Sequence, residues 1–191
     1  VRLSPPPGIR RRLNLPRETL QNTIRYQLGA AIGMARAMGG TVRHLKLHGA
    51  MSNMIMADVD LARSCYEAAL SVDPDIIIMV LAATAMETAV RDLGCNWAGE
   101  IFADRAYNDD GTLVDRSLPG AVIHDPALAG PRILEMVQEG AIITESGKRI
   151  PAAIDTICVH GDTPTAVALA RSVKNSLIAG GIGLAQFEAR S

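Results

Sequence analysis

Residues 76–82 read Ile-Ile-Ile-Met-Val-Leu-Ala, with no polar side chain among them. A strand with one wet face alternates apolar and polar residues. A strand without alternation has both faces dry, the situation of a parallel sheet covered by helices. Pro74 in front and Thr84 behind bound the run too tightly for a helix of ordinary length. One segment therefore restricts the chain to folds that wrap helices around parallel strands.

The rest of the chain supplies those partners. Asn14 and Pro16 make a helix start, and Leu20, Ile24, Leu28, Ile32 and Ala35 follow at helical spacing until Gly39-Gly40. Val42–His48 reads as a strand. Asp58 opens a second helix with Leu61, Cys65, Ala68 and Ala69 on one face, and Thr84–Leu93 is a third, stopped by Gly94. Trp97–Phe102 is a strand, and 103–119 is a polar loop with a turn at Asn108–Gly111. Pro126–Gln138 is helical, with Pro131 expected to kink it or mark its true start. Residues 141–150 form a hairpin turning at Ser146-Gly147, and Ile154–His160 is a last strand. Thr163 caps and Pro164 opens a final helix that buries Val167, Ala170, Val173 and Leu177. Leu3–Arg12, with three prolines and a glycine, is irregular. Strand and helix alternate about four times, which means parallel α/β. No interior linker interrupts residues 1–191, so one domain is expected.

Composition narrows the function. Nineteen basic against twenty acidic residues give a net charge of −1, and there are only one Trp, three Tyr and two Phe. Neither a cationic surface for phosphates nor an aromatic platform for bases is available, so nucleic-acid binding is not expected. The longest predominantly apolar run, Ile76–Met86, is too short to span a bilayer, and no secretory signal is visible. Cys65, Cys95 and Cys158 are odd in number and widely spaced, which suits small core hydrophobes in a reducing cytoplasm.

Polar chemistry gathers where three strands end, the usual place for reactive groups in parallel α/β folds. His44-Leu45-Lys46-Leu47-His48 alternates so that Lys46 and His48 point the same way. Glu100 and Phe102 share a face ahead of Asp104, Arg105 and Tyr107. His160-Gly161-Asp162 lies between a strand and a helix start. Each has a plainer reading: a solvated strand face, a Glu100–Arg105 ion pair, a capping Asp162. His124-Asp125 before Pro126 reads as capping. Lysine, histidines and carboxylates converging at one rim would suit proton transfer and activation of a carbonyl. Histidines near carboxylates could also hold a divalent metal, but no two of His48, Glu100, His160 and Asp162 have the i, i+4 spacing of a metal helix. There is no G-x-S-x-G, phosphate loop or G-x-G-x-x-G.

The stretches KLHGA (Lys46–Ala50), EIFADRAYNDDGTLVDRSLPGAVIHDP (Glu100–Pro126) and ICVHGDTPTAVALAR (Ile157–Arg171) resemble the LamB/YcsF family of 5-oxoprolinase subunits, from about Gly8 onward. The resemblance implies an irregular parallel β/α barrel of the deacetylase-like kind. It also implies a cytoplasmic protein that, with two partner subunits, hydrolyses the lactam 5-oxoproline to glutamate. ATP would be used on one of the partners; no resident metal is implied, and homo-oligomerisation is left open. The family-like positions are Lys46, His48, Asn53, Glu100, Asp104, Arg105, Tyr107, His160 and Asp162. Lys46, His48, Glu100, Asp104, His160 and Asp162 are the expected catalytic group, with Asp162 or Glu100 orienting a histidine. Asn53, Arg105 and Tyr107 are the expected substrate contacts. The opening D-L-N-x-D-x-G-E and C-G-x-H-A-G-D of family members are absent, the chain starting near their G-F-G-R-R region with Pro7-Gly8-Ile9-Arg10-Arg11. The barrel is accordingly expected to lack its N-terminal strands. Leu47 stands for a usual proline and Ser52 for a usual tyrosine. The alternatives are a metal-dependent deacetylase-like hydrolase and a non-catalytic scaffold of a lactam-utilisation complex.

Overall fold

Strand β2, Ile77–Leu81, is buried at every residue and lies inside the sheet, as its uninterrupted apolar sequence requires. The computed structural model describes residues 15–191. The expected irregular segment 3–12, the Asn14 cap and the Gly8–Arg11 motif lie outside the described residues. Four parallel strands run in the order β1 (His44–Lys46), β2, β3 (Trp97–Phe102), β6 (Thr156–Cys158). The sheet curls into a half-barrel in an α/β fold. A separate antiparallel hairpin joins β4 (Ala141–Ile143) to β5 (Arg149–Pro151), turning at Gly147, where φ is +84°.

Helix α1 (Arg17–Ala37) buries Leu20, Ile24 and Leu28 of the expected stripe, leaves Ile32 and Ala35 half-buried, and packs on α3 (Val59–Leu70). Asp58 caps α3 by accepting the Leu61 N–H at 2.9 Å. Thr84 caps α4 (Ala85–Leu93), and Gly94 ends it in the left-handed conformation at φ +59°. A short helix α2 (Ala50–Ile55), missed in the sequence, follows β1 immediately. Six residues carry too few periodic apolar positions to signal themselves.

Helix α5 (Pro126–Glu139) begins on Asp125, whose carboxylate accepts the Ala127 N–H, and runs on through Pro131. It packs against α6 (Ala166–Ala179), where Gly130 meets the hydroxyls of Ser172 and Ser176. Helix α6 starts later than expected. Thr163 does not cap it by its side chain; its carbonyl accepts the Ala166 N–H in one tight turn before the regular helix. Its inward stripe is Leu169, Val173 and Leu177, whereas Val167 is 73% exposed and Ala170 also faces outward. No described helix is long and apolar enough to cross a membrane.

The register divides the sheet into two faces. Lys46, Met79, Ala98, Leu81, Glu100, Phe102, Thr156 and Cys158 share one, because register partners in parallel strands point the same way. The other face carries Leu45, Ile78, Val80, Trp97, Gly99, Ile101 and Ile157 into the main core beneath the helices. Gly99 is required there, since a Cβ would collide with the carbonyl of Ala153.

Candidate active site

The polar face culminates at the C-terminal ends of β1, β3 and β6. Lys46 is the last residue of β1, and its ammonium lies 2.5 Å from the Glu100 carboxylate across β2, which contributes only the apolar Ile77, Met79 and Leu81 to this face. The same ammonium reaches the Cys158 sulfur at 3.2 Å and sits 5.1 Å above the centre of the Phe102 ring. Glu100 is 5% exposed. Burial pushes its carboxyl above the usual range, against the pull of the Lys46 charge and of His160. Burial likewise raises the Cys158 thiol, helped by Glu100 and opposed by Lys46.

Two residues past β3, Asp104 is buried and faces His160, two residues beyond β6. Both carboxylate oxygens approach the histidine Nδ1, at 2.9 and 2.8 Å. Burial raises the Asp104 carboxyl, but the hydrogen bond and charge of His160, with the backbone N–H groups of Asp104 and His160, outweigh it and hold it below the usual range. An ionised carboxylate only accepts, so the Nδ1 proton faces Asp104 and the Nε2 lone pair is left available. The imidazole stacks on Phe102, ring centres 5.3 Å apart and 17° from parallel. His48 stands at the mouth. Partial burial, then the charges of Lys46 and His160, depress its pKa below 6.5, so its imidazole is neutral near pH 7.

Lys46, His48, Glu100, Asp104 and His160 are thus brought to one rim. The remaining expected residues are placed differently. The Nδ1 of the histidine is held by Asp104, not by Asp162, which is exposed and lies 3.6 Å from Arg116. Glu100 pairs with Lys46 and not with Arg105. Arg105 is buried under the loop, donating to the carbonyls of Ala121 and Val114. Tyr107 is fully buried; its hydroxyl oxygen accepts the Phe102 N–H at 2.7 Å, and burial drives its pKa upward. Both knit the loop 103–119 onto β3, with Arg105 bridging to Val122 and Tyr107 to Leu113. Asn53 is exposed on α2 and takes no part in the contacts that hold the cluster.

Two residues of the cluster escape a reading of the sequence as site residues. Cys158 looks like a core cysteine, and so Cys65 and Cys95 prove to be; only the register opposite Phe102 brings Cys158 under Lys46. Phe102 shares the Glu100 face, a signal that could have marked it, yet an aromatic on a strand reads first as core. Among the described residues, no three of His, Cys, Asp and Glu converge as a metal-holding group.

The chain is similar in sequence and fold to known proteins. A 5-oxoprolinase subunit of Ruegeria pomeroyi is 68% identical over 179 residues, covering 94% of this chain and 71% of that protein. Its namesake in Coprothermobacter proteolyticus is 48% identical, covering 88% of this chain and 64% of its own length. The crystal structure of a lactam utilization protein from Thermus thermophilus superposes with a TM-score of 0.83 at 34% identity, over 93% of this chain and 71% of that one. The family model of the LamB/YcsF family matches residues 8–191, and the chain belongs to that family.

Proposed function

We propose that the chain forms the hydrolytic site of a multi-subunit 5-oxoprolinase, opening the lactam of 5-oxoproline to glutamate. The relatives' name supports the substrate, and their being named as subunits supports partners. The observation that carries the chemistry is the Asp104–His160 pair beside the Lys46–Glu100 pair at one strand rim.

A lactam carbonyl is a poor electrophile, which is why hydrolysis coupled to ATP is chemically reasonable. The chain carries no glycine-rich phosphate loop, so ATP is assigned to the partner subunits and no step here runs through it. His160, its Nδ1–H held by Asp104, takes a proton from water through Nε2. The hydroxide oxygen bonds to the ring carbonyl carbon. The Lys46 ammonium and the N–H of neutral His48 stabilise the oxyanion that forms. As the tetrahedral species collapses, the carbon–nitrogen bond breaks, and the imidazolium of His160 returns its proton to the departing nitrogen. Glu100 holds Lys46 in place, and Phe102 holds the imidazole plane.

Glutamate release from 5-oxoproline by the protein assembled with its partner subunits and supplied with ATP tests this reading. His160→Ala should slow turnover by at least about 100-fold, the usual worth of a positioned general base. Full turnover in both His160→Ala and His48→Ala would rule the assignment out.

A further inference from the structure

We propose that Arg116 binds the free carboxylate of the substrate and so selects lactams that bear an acid group. This rests on the hydrolase reading above. 5-Oxoproline carries its carboxylate on the carbon next to the ring nitrogen, only a few bonds from the carbonyl carbon under attack. A site built for it needs a cation near, but not at, the group that activates water.

The cations around the rim differ in how fully they are engaged. Lys46 is held by Glu100 and Cys158. Arg105 donates to two backbone carbonyls. Arg132 lies over the Tyr107 ring and donates to the carbonyls of Arg105 and Ile143. Lys148 donates to the Asp109 carbonyl. Arg116 is different. Its Nε is buried without a partner, and its Nη1 meets Asp162 at 3.6 Å, beyond hydrogen-bond length. The side chain is 27% exposed, so its charge is neither sealed in nor lost to solvent.

Its backbone is fixed for the purpose. Asp115 accepts from the Ser117 N–H and hydroxyl at 2.9 and 2.8 Å, and the Leu118 N–H returns to the Asp115 carbonyl, a turn with Arg116 at its bend. The partner it reaches, Asp162, follows His160 by two residues, a span of at most about 7 Å of chain. The guanidinium thus contacts the short segment that carries His160, and in the proposed pose a small lactam acid bridges the two. Guanidinium forks match carboxylates in two-point geometry, and an incoming carboxylate would take the place of the long Asp162 contact.

The test measures binding separately from turnover, on the protein assembled with its partner subunits. Calorimetric titration compares 5-oxoproline with 5-oxoprolinamide, which keeps the ring and lacks the charge. Unmodified protein should bind the acid at least about 10-fold more tightly, the usual advantage of a charge-assisted pair. Arg116→Gln should erase that preference while leaving amide binding and the thermal midpoint unchanged; Arg116→Lys should keep part of it. No preference in the unmodified protein, survival of the preference in Arg116→Gln, or equal loss for both ligands would each overturn the assignment. Glutamate release, read in parallel, reports on the hydrolase reading alone: binding with preference but no release sinks that reading, and release without preference sinks this one.

Discussion

Asp104 receives the Nδ1 of His160 on both carboxylate oxygens, at 2.9 and 2.8 Å, from the loop after β3 to the loop after β6. The contact joins residues 56 apart in sequence and fixes the histidine from the side away from the lone pair it would use. Asp104→Asn keeps the shape but presents an amide that can donate to Nδ1, inverting the tautomer. Turnover should fall about 100- to 10,000-fold, the range for losing a positioned base, with little change in KM. Steady-state glutamate release checks it; a normal kcat in Asp104→Asn would mean the pair is only structural.

The same pair has a stability signature. The folded Asp104 carboxyl titrates below its unfolded value of 3.8. It therefore contributes stability that is present in full above the unfolded value and lost as pH falls through the lower, folded one. The Asp104→Asn variant lacks this contribution and should lose stability less steeply below about pH 4 than the unmodified protein. Urea midpoints at several acid pH values measure the slopes, and parallel slopes would refute the coupling.

His48 titrates below 6.5 because it is partly buried, lies near the positive Lys46, and is repelled by His160 whenever that ring carries a proton. Since its neutral form is the one proposed to act, the acid limb that it sets lies below 6.5. An NMR titration of the ring proton reads this directly. Lys46→Met should move the value upward by part of the shift only, because burial, the larger cause, stays. A His48 value at or above 6.5 in the unmodified protein would remove its neutral role.

Gly99 belongs to β3 on the core face, where a Cβ would strike the backbone carbonyl of Ala153. A carbonyl fixed in the chain cannot swing aside as a side-chain tip can. Gly99→Ala should cost about 1–3 kcal/mol, the usual range for overpacking a closed site, measured by urea unfolding. A loss below about 0.5 kcal/mol, the scatter of an ordinary surface change, would show that the loop over β3 yields.

The strands were legible because their sequences answer to burial. Trp97–Phe102 matches its expected bounds, and Ile77–Leu81 falls within the apolar run. Caps were legible where a side chain makes the hydrogen bond, as at Asp58 and Asp125. Thr163 misled because a threonine before proline has the look of a cap, while the regular helix begins only after a tight turn. The rim was legible from strand ends, but the pairing within it was not. Asp162 is nearer His160 in sequence, yet the strand order puts β3 beside β6, and Asp104 wins the histidine. Arg105 and Tyr107 carry active-site chemistry in their residue types, but the loop folds them inward to satisfy its own backbone.

Lys46 and Glu100 form an ion pair whose side chains are 16% and 6% exposed, and their energetics separate stability from activity. Lys46→Met leaves Glu100 buried with no counter-charge. Breaking one side of such a pair costs about 3–5 kcal/mol, because the remaining charge is uncompensated. The Lys46→Met, Glu100→Met double variant removes both charges and fills the space with apolar side chains beside Met79, Leu81 and Phe102. Exchange of a buried pair for packed hydrophobes is commonly neutral or stabilising, so the double variant should recover most of the stability lost by the single one. It should nevertheless stay inactive, since no ammonium remains to meet the oxyanion. Urea unfolding and glutamate release on the same preparations decide the matter. A double variant as unstable as Lys46→Met would show that the pair is held for packing specificity, and one that regains turnover would take Lys46 out of the reaction.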